Sequence, residues 1–214
     1  MFNNTIIYVF KLTVFGILLL LQPTNLVGQT GILGRNNNAM INKENIARPD
    51  SCVGPECRII DGKLNGTCIS LWPDSTIKSK GTYVNDTVAG KFLQWYENGQ
   101  LEVERILSDD NRNGSTMRYW QNGGLKTLSI FEDGRVDQRI EWNENGSLYI
   151  QELYSDSGSV SITKYRPNGE LEYSGSTING SRSGQWRTYD KSGRLCLIRE
   201  YDQGKIISEE QFCP

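Results

Sequence analysis

The sequence predicts an all-β protein whose body is one elongated, meandering antiparallel sheet of six tandem β-hairpin repeats of about 24 residues. Three observations predict it. A turn glycine recurs at a nearly constant interval, and three columns of residue types keep a fixed distance from it. The 22 glycines, 10 tyrosines and 5 tryptophans are typical of aromatic-rich strands joined by many tight turns.

The anchor glycine of each repeat follows the previous one by 23 or 24 residues. The anchors are Ser75, Gly99, Gly123, Gly146, Gly169 and Gly193, each preceded by Asp, Asn or Ser. A bulky residue stands four positions before each anchor, at Leu71, Trp95, Tyr119, Trp142, Tyr165 and Tyr189. An aliphatic residue stands two positions after it, at Ile77, Leu101, Leu125, Leu148, Leu171 and Leu195. A period kept this closely predicts a repeat array.

Each anchor marks a hairpin. In Pro167-Asn168-Gly169, proline suits a type I turn and glycine suits the left-handed residue after it. A three-residue loop with a bulge is therefore predicted, which places Tyr165 opposite Leu171 and both apolar columns on one face. A second set of turns joins successive repeats, at Asp109-Asp110, Asp133-Gly134, Asn179-Gly180 and Gln203-Gly204. If these linking turns are symmetric, side chains change faces from strand to strand, so some register must differ by one residue.

The N-terminus has the features of a secretory signal peptide, predicted at residues 1–28. Lys11 precedes an apolar run that ends at Leu21, and this run is too short for a hydrocarbon core of about 30 Å. The alternative is an uncleaved anchor over Thr5–Leu21, which would hold Lys11 inside the span. The signal predicts a secreted, periplasmic or cell-envelope protein with no membrane insertion after cleavage.

Residues 29–56 are rich in asparagine and poor in bulky apolar side chains, a composition that cannot offset the entropy of ordering. They are predicted to form a flexible linker. The repeat domain is predicted at residues 57–214.

Five cysteines behind a secretory signal predict disulfides, with one cysteine left over. The pairs Cys57/Cys68 and Cys196/Cys213 are each symmetric about the same place in the repeat. Opposed residues on paired strands are close enough to be bridged, so these two disulfides are predicted, one at each end of the array. The alternative is a local Cys52–Cys57 bridge that leaves Cys68 free.

The composition argues against catalysis. The sequence has no histidine, which removes the Ser-His and Cys-His nucleophile systems and the commonest zinc ligand. No carboxylate spacing distinguishes a glycosidase pair from a charged strand surface. The stretch 109–114, DDNRNG, opens like a calcium loop, but Trp120 stands where the closing Glu belongs. We therefore predict no enzyme, no cofactor and no metal site.

Aromatic residues near the anchors are the candidate binding residues. Adjacent pairs such as Trp95-Tyr96 and Tyr119-Trp120 point to opposite faces of a strand, so one member of each is expected in the core. The other members, Trp72, Tyr96 and Trp120, are predicted to bind a partner, because flat rings suit both protein surfaces and sugars. The alternative is that they cover their own sheet.

Two segments carry a family resemblance. Gly184–Tyr189 followed by Ser192–Leu195, and Trp95–Leu101, resemble the MORN-repeat variant of bacterial YwqK-type proteins, many of which are labelled antitoxins. The resemblance covers residues 57–214 and implies a binding scaffold without a catalytic motif. It departs from the pattern at Ser75 and in the middle repeats, which lack the second glycine seen at Gly90, Gly114 and Gly184.

These observations predict a non-enzymatic, extracytoplasmic repeat scaffold that binds a protein or a cell-surface glycan. The alternative, suggested by the family resemblance, is an antitoxin or immunity-like protein that neutralises a partner toxin. The net charge of -2 leaves no basic patch for a nucleic-acid partner.

Overall fold

The computed structural model describes residues 53–108 and 112–214, and every regular element in these ranges is a β-strand. The strands are β1 (Arg58–Ile60), β2 (Lys63–Leu71), β3 (Ile77–Val84), β4 (Thr87–Trp95), β5 (Leu101–Leu107), β6 (Gly114–Tyr119), β7 (Leu125–Glu132), β8 (Arg135–Trp142), β9 (Leu148–Tyr154), β10 (Ser159–Tyr165), β11 (Leu171–Ile178), β12 (Ser181–Tyr189), β13 (Leu195–Asp202) and β14 (Lys205–Gln211). They form one antiparallel sheet in sequence order, which confirms the predicted meander. Within the described ranges, no helical stretch has the length and hydropathy that a membrane crossing requires.

The six anchor hairpins have the predicted pairing. The bulky and aliphatic columns face each other as Leu71–Ile77, Trp95–Leu101, Tyr119–Leu125, Trp142–Leu148, Tyr165–Leu171 and Tyr189–Leu195. A register shift adjoins every one of these pairs, which confirms the predicted bulge. A single hairpin is marginally stable in water, so each one depends on its neighbours in the sheet.

The anchor loops are closed by backbone and side-chain hydrogen bonds. In the second repeat the amide of Gly99 donates to the carbonyl of Tyr96 at 2.9 Å, and Gly99 has a φ of 81°. The side-chain oxygen of Asn98 accepts from the amide of Gln100 at 3.0 Å. Asparagine satisfies its own backbone in this way, which explains the Asn-Gly pairs at the anchors. Ser75 takes the same conformation with a φ of 70°, at the steric cost that a non-glycine residue bears there.

The linking turns differ from the anchor loops. Asp133-Gly134, Asn179-Gly180 and Gln203-Gly204 have positive φ at both positions, which is the type I′ geometry. In four linking hairpins the register between the two strands also shifts, in addition to the shifts in the anchor hairpins. These shifts lie next to Thr82, Phe131, Ser176 and Tyr201. This second irregularity corrects the assumption of symmetric linking hairpins and keeps the central rows of side chains on one face from strand to strand.

The two remaining linking connections differ from these. The predicted turn at Asp109-Asp110 lies outside the described residues. Strands β9 and β10 are joined by a loop of the anchor type instead of a two-residue turn, since the amide of Gly158 donates to the carbonyl of Ser155 at 3.1 Å.

The two faces of the sheet can be followed through the register, because residues directly opposite each other share a face. One row runs through Leu93, Glu104, Met117, Leu128, Ile140 and Gln151. The hydroxyls of Tyr119 and Tyr165 donate to Glu104 and Gln151 in this row, so the bulky column lies on the same side. We call this side the aromatic face and the other side the opposite face.

The apolar core changes face along the array. Near the N-terminal end it lies on the opposite face, where Leu64, Cys68, Tyr83, Val88 and Phe92 form one buried cluster. In the middle, the directly paired Leu128 and Ile140 are buried on the aromatic face, and Ile140 is only 1% exposed.

Near the C-terminal end the core returns to the opposite face. Trp186 packs over Gly175 and is flanked by Tyr173 and Tyr201, at ring-centre distances of 5.8 Å and 6.4 Å. The indole nitrogen of Trp186 donates to the carbonyl of Ser176 at 2.9 Å, so the polar atom of this buried ring is satisfied.

Both predicted disulfides are present. Cys57 and Cys68 are bonded with their Cα atoms 4.8 Å apart, and Cys196 and Cys213 with theirs 4.7 Å apart. The first bond rules out the Cys52–Cys57 alternative; Cys52 itself lies outside the described residues. Two disulfides indicate an oxidising environment.

The geometry of the first disulfide differs from the predicted one. Cys57 precedes β1 in a turn, where its amide donates to the carbonyl of Gly54 at 3.2 Å. It is therefore not the strand residue directly opposite Cys68. The chain already joins the sheet at Val53, which exchanges hydrogen bonds of 2.9 Å and 3.0 Å with Ile69. The folded part thus includes residues 53–56, which were assigned to the linker, whereas the predicted signal peptide at 1–28 and linker residues 29–52 lie outside the described residues.

Candidate functional site

The three predicted binding residues occupy one position of the repeat. Trp72, Tyr96 and Trp120 each stand three positions before an anchor, just after a strand ends, and each is half-buried. Each directly follows a bulky-column residue, which lies on the aromatic face, and successive side chains of a strand alternate between the two faces. The three rings therefore line the anchor-loop end of the opposite face. Successive rings are two strands apart, or about 10 Å.

Two of these side chains bind the next repeat. The hydroxyl of Tyr96 donates to the carbonyl of Tyr119 at 2.8 Å, and the indole nitrogen of Trp120 donates to the carbonyl of Trp142 at 3.3 Å. Arg166, at the same repeat position, donates to the carbonyl of Tyr189 at 2.8 Å. These contacts give Tyr96 and Trp120 a structural role in the sheet as well as an accessible edge. Arg166 could have been predicted from its position in the repeat, three residues before the anchor Gly169, but it is not aromatic.

Trp72 differs from Tyr96 and Trp120. Its indole nitrogen is buried and has no hydrogen-bond partner among residues 53–108 and 112–214. Its ring is covered by Lys78, whose Nζ lies 4.5 Å from the ring centre. Lys126 covers Trp120 in the same way at 4.3 Å. Both lysines stand three positions after an anchor, so the sheet contains two Trp–Lys pairs with identical repeat positions.

The electrostatics of this edge follow from burial and neighbouring charges. Burial raises the pKa of Tyr96, the carboxylate of Glu102 raises it further, and the guanidinium of Arg118 opposes this shift. Hydrogen bonds from Thr76 lower the pKa of Asp74 in the first anchor loop. Tyr96 is thus a neutral hydrogen-bond donor and Asp74 an anion at neutral pH.

A second exposed surface lies on the aromatic face. Ile106, Ile130 and Leu153 occupy one row by register, separated by Ser115 and Gln138. Ile106 is 42% exposed and Leu153 is 51% exposed, while Ile130 is half-buried. Apolar surface exposed on one face can contribute to a protein-binding site.

The described residues also contain a shallow cavity of about 290 Å³ at the linking turns. It is lined by Glu132, Asp133, Arg135, Val136, Asp137, Tyr154, Ser155 and Asp156. Arg135 forms an ion pair with Asp156 at 2.9 Å, so part of its charge is neutralised internally.

Potential metal ligands come together at one place in the described ranges, where Asp190 lies near Cys196 and Cys213. Both sulfur atoms are committed to the disulfide, so neither offers a thiolate. Residues 109–111 of the calcium-like stretch lie outside the described residues. Asn113 from the same stretch uses its side-chain oxygen to accept from the amide of Asp133 at 3.0 Å.

Comparison with known proteins identifies the repeat. The family model described as MORN repeat variant matches residues 90–106. This segment contains most of β4, the anchor loop at Gly99 and most of β5, so the match corresponds to one anchor hairpin. No curated protein matches the chain.

Proposed function

We propose that this protein with MORN-variant repeats is a non-enzymatic scaffold outside the cytoplasm that binds a protein partner along the aromatic face of its sheet. The observation that carries the proposal is the row of Ile106, Ile130 and Leu153. Ile106 and Leu153 are about half exposed, although Leu128 and Ile140 in the same part of this face are buried.

The spacing of the row suits an extended contact. Its members are two strands apart, about 10 Å, and their intervening neighbours are Ser115 and the buried Gln138. The aliphatic side chains therefore project as separate ridges on a rigid sheet. A partner surface with apolar side chains at a matching interval would bury them without reordering the scaffold, which lowers the entropic cost of binding.

The extracytoplasmic location is supported by the predicted signal peptide and by the disulfides at Cys57–Cys68 and Cys196–Cys213. A scaffold that works in an oxidising medium gains from covalent closure of its terminal hairpins.

The test is affinity capture from culture medium and envelope fractions with the secreted full chain and two variants. The Ile106→Ser/Leu153→Ser double variant should lose the captured partner, because it removes the exposed apolar area. The matched control Ile59→Ser removes an aliphatic residue that is 65% exposed but lies in β1, away from the row, and should retain it.

The double variant should keep the unfolding midpoint of the wild type within a few degrees, because surface changes of this kind shift stability by about 0.5 kcal/mol. Retention of every captured protein by the double variant would refute the proposal. Recovery of a small toxic protein as the partner would assign the antitoxin role.

A further inference from the structure

We infer that the linking turn Asn179-Gly180 is a site of spontaneous covalent modification, at which the asparagine converts to aspartate and isoaspartate. Asn-Gly is a dipeptide prone to this reaction, because glycine has no side chain to hinder ring closure. The Asn-Gly pairs of the chain begin at Asn65, Asn98, Asn113, Asn122, Asn145, Asn168 and Asn179. The fold protects all of these pairs except the last. The reaction needs no partner, so the inference is independent of the proposed function.

The reaction requires two free groups. The main-chain nitrogen of the glycine loses its proton to solvent base and attacks Cγ of the asparagine side chain. A C–N bond forms, ammonia leaves, and a five-membered imide closes. Water then opens the imide at the side-chain bond to give aspartate, or at the main-chain bond to give isoaspartate, so one amide and one water become one acid and ammonia. A hydrogen bond that holds the glycine amide or the asparagine side chain opposes the attack.

The Asn-Gly pairs of the anchor loops have both groups occupied. The amide of Gly169 donates to the carbonyl of Arg166 at 2.8 Å, and Oδ1 of Asn168 accepts from the amide of Glu170 at 3.1 Å. The same two hydrogen bonds are present in the loops of Asn98, Asn122 and Asn145. Both bonds must break before the glycine nitrogen reaches Cγ.

The pairs at Asn65 and Asn113 are protected by the sheet. Gly66 and Gly114 are strand residues that pair with the neighbouring strand. Oδ1 of each asparagine accepts from a main-chain amide in the linking turn that follows, at 3.0 Å in both cases. The side chain is thus held in place, and the glycine belongs to a regular ladder.

The turn at Asn179-Gly180 lacks both kinds of protection. Its two residues are exposed and have φ values of 52° and 79°. The side chain of Asn179 and the amide of Gly180 form no hydrogen bond within residues 53–108 and 112–214. The turn is closed by the facing pair Ile178 and Ser181, which leaves the glycine amide between them to solvent.

The neighbouring connections explain why this amide is free. In three other two-residue linking turns the second residue donates its amide to a carbonyl beside the preceding linking connection: Asp86 to Leu64, Gly134 to Arg112 and Gly204 to Arg182, at 3.0, 2.7 and 2.8 Å. The connection that precedes Asn179 is the loop at residues 155–158, which is of the anchor type. The amide of Asn179 donates there instead, to the carbonyl of Gly158 at 3.4 Å, and Gly180 has no such acceptor.

The isoaspartate product changes the geometry of the turn. It adds one carbon atom to the main chain between β11 and β12 and replaces a neutral amide with a carboxylate. A type I′ turn fits two residues of normal main chain, so the pair Ile178–Ser181 should open. The modification therefore loosens this linking hairpin and leaves the anchor loops intact.

The experiment follows the folded, secreted chain during incubation at neutral and mildly alkaline pH, with tryptic digestion at mildly acidic pH, where the reaction is slow. The bond between Arg166 and Pro167 resists trypsin, so one peptide covers residues 165–182 and contains both Asn168 and Asn179. Fragmentation spectra should show Asn179 converting roughly tenfold faster or more, since Asn168 must first lose two hydrogen bonds. The rate at Asn179 should increase with pH, because the attacking nitrogen must lose its proton.

The unfolded chain is the matched control. In urea, after reduction of the two disulfides, Asn168 and Asn179 should convert at similar rates, because neither pair is then hydrogen-bonded by the fold. Equal rates in the folded chain would overturn the inference. A preference for Asn179 that is as large in the unfolded chain as in the folded one would also overturn it, since the local sequence and not the turn would then be the cause.

Discussion

The two ends of the sheet bury their apolar side chains on one face, and its middle buries them on the other. At the ends a glycine is covered by a large ring on the next strand, Gly81 by Phe92 and Gly175 by Trp186. A Cβ on Gly81 would lie 2.8 Å from Cδ2 of Phe92, so the ring occupies the space that a side chain would need. In the middle of the sheet the same row of the opposite face holds Arg105 and Thr116, and the apolar core forms on the aromatic face.

This difference shows that the repeat determines the backbone and leaves the choice of buried face to a few variable positions. The same two backbone hydrogen bonds close the anchor loop in all six repeats, yet Ile140 is buried on one side of the sheet and Trp186 on the other. A single sheet can tolerate this because each hairpin is stabilised mainly by its immediate neighbours. Both faces then retain exposed regions, one aliphatic and one carrying the Trp–Lys pairs.

The largest effect is expected at the C-terminal end. Trp186→Ala removes a ring that is 6% exposed and leaves Gly175, Tyr173 and Tyr201 without their common contact. We expect a loss of about 3–5 kcal/mol in the free energy of unfolding of this end. Hydrogen exchange should show faster opening of β11 to β14 and unchanged protection of β2 to β4, because the coupling is between neighbours. Uniform loss of protection across the sheet would contradict the comparison.

A somewhat smaller effect is expected from the C-terminal disulfide. The Cys196→Ala/Cys213→Ala variant opens a loop with a sequence separation of 17, which costs about 3 kcal/mol by chain entropy. The two disulfides also differ in solvent accessibility, since Cys68 is in the buried cluster while Cys196 and Cys213 are half-buried. Timed reduction with alkylation and mass spectrometry should therefore release Cys196 and Cys213 before Cys57 and Cys68. The reverse order would show that the C-terminal end is the more closed of the two.

The middle of the sheet should be sensitive to alkaline pH through Tyr154. Burial raises the pKa of its hydroxyl well above the usual value near 10, and the hydrogen bond it donates to Glu152 at 2.8 Å adds to the shift. The folded state then binds more protons than the unfolded state above pH 10, so stability falls as the pH rises. The slope is at most about 1.4 kcal/mol per pH unit for one proton.

Denaturation of wild type and Tyr154→Phe at several pH values from 8 to about 11 tests this expectation, since unfolded tyrosine titrates near 10. The variant should lose less stability than the wild type over the upper part of the range. Tyr96, Tyr119 and Tyr165 also have raised pKa values, so part of the alkaline loss should remain. Identical slopes for both proteins would exclude Tyr154 as a contributor.

The sequence predicts those features of the fold that depend on residue types at a fixed distance from each anchor. The Asn-Gly anchors determined the loops, and the bulky and aliphatic columns gave pairs such as Tyr165–Leu171. The disulfide partners also followed from position in the repeat, although Cys57 reaches Cys68 from a turn and not from a paired strand. Local turn chemistry is strong at these places, so residue type was sufficient.

The features that sequence missed depend on contacts between repeats. The register shift between β7 and β8 falls at Asp137, between Val136 and Gln138, although the sequence around Asp137 is that of an ordinary strand. The change of buried face depends on which residues pair across neighbouring strands, such as Gly81 with Phe92 or Arg105 with Thr116. These pairs join successive repeats, so the pattern within one repeat does not show them. Lys78 and Lys126 were overlooked because their column holds other residue types in the remaining repeats.

The smallest predicted effect is a gain in stability, and it concerns the opposite face in the middle of the sheet. Thr116 is 7% exposed on the opposite face, and its hydroxyl has no hydrogen-bond partner among the residues that the structure describes. Thr116→Val replaces the hydroxyl with a methyl of nearly the same size and removes a buried polar group that has lost its hydration. We expect a gain of about 1 kcal/mol in the free energy of unfolding, measured by urea denaturation. Ser129→Ala, one strand away on the same row and only half-buried, is the matched control and should change stability little. A destabilised Thr116→Val would mean that this hydroxyl is hydrogen-bonded in solution, and the middle of the opposite face would then be a satisfied polar surface like the anchor-loop edge.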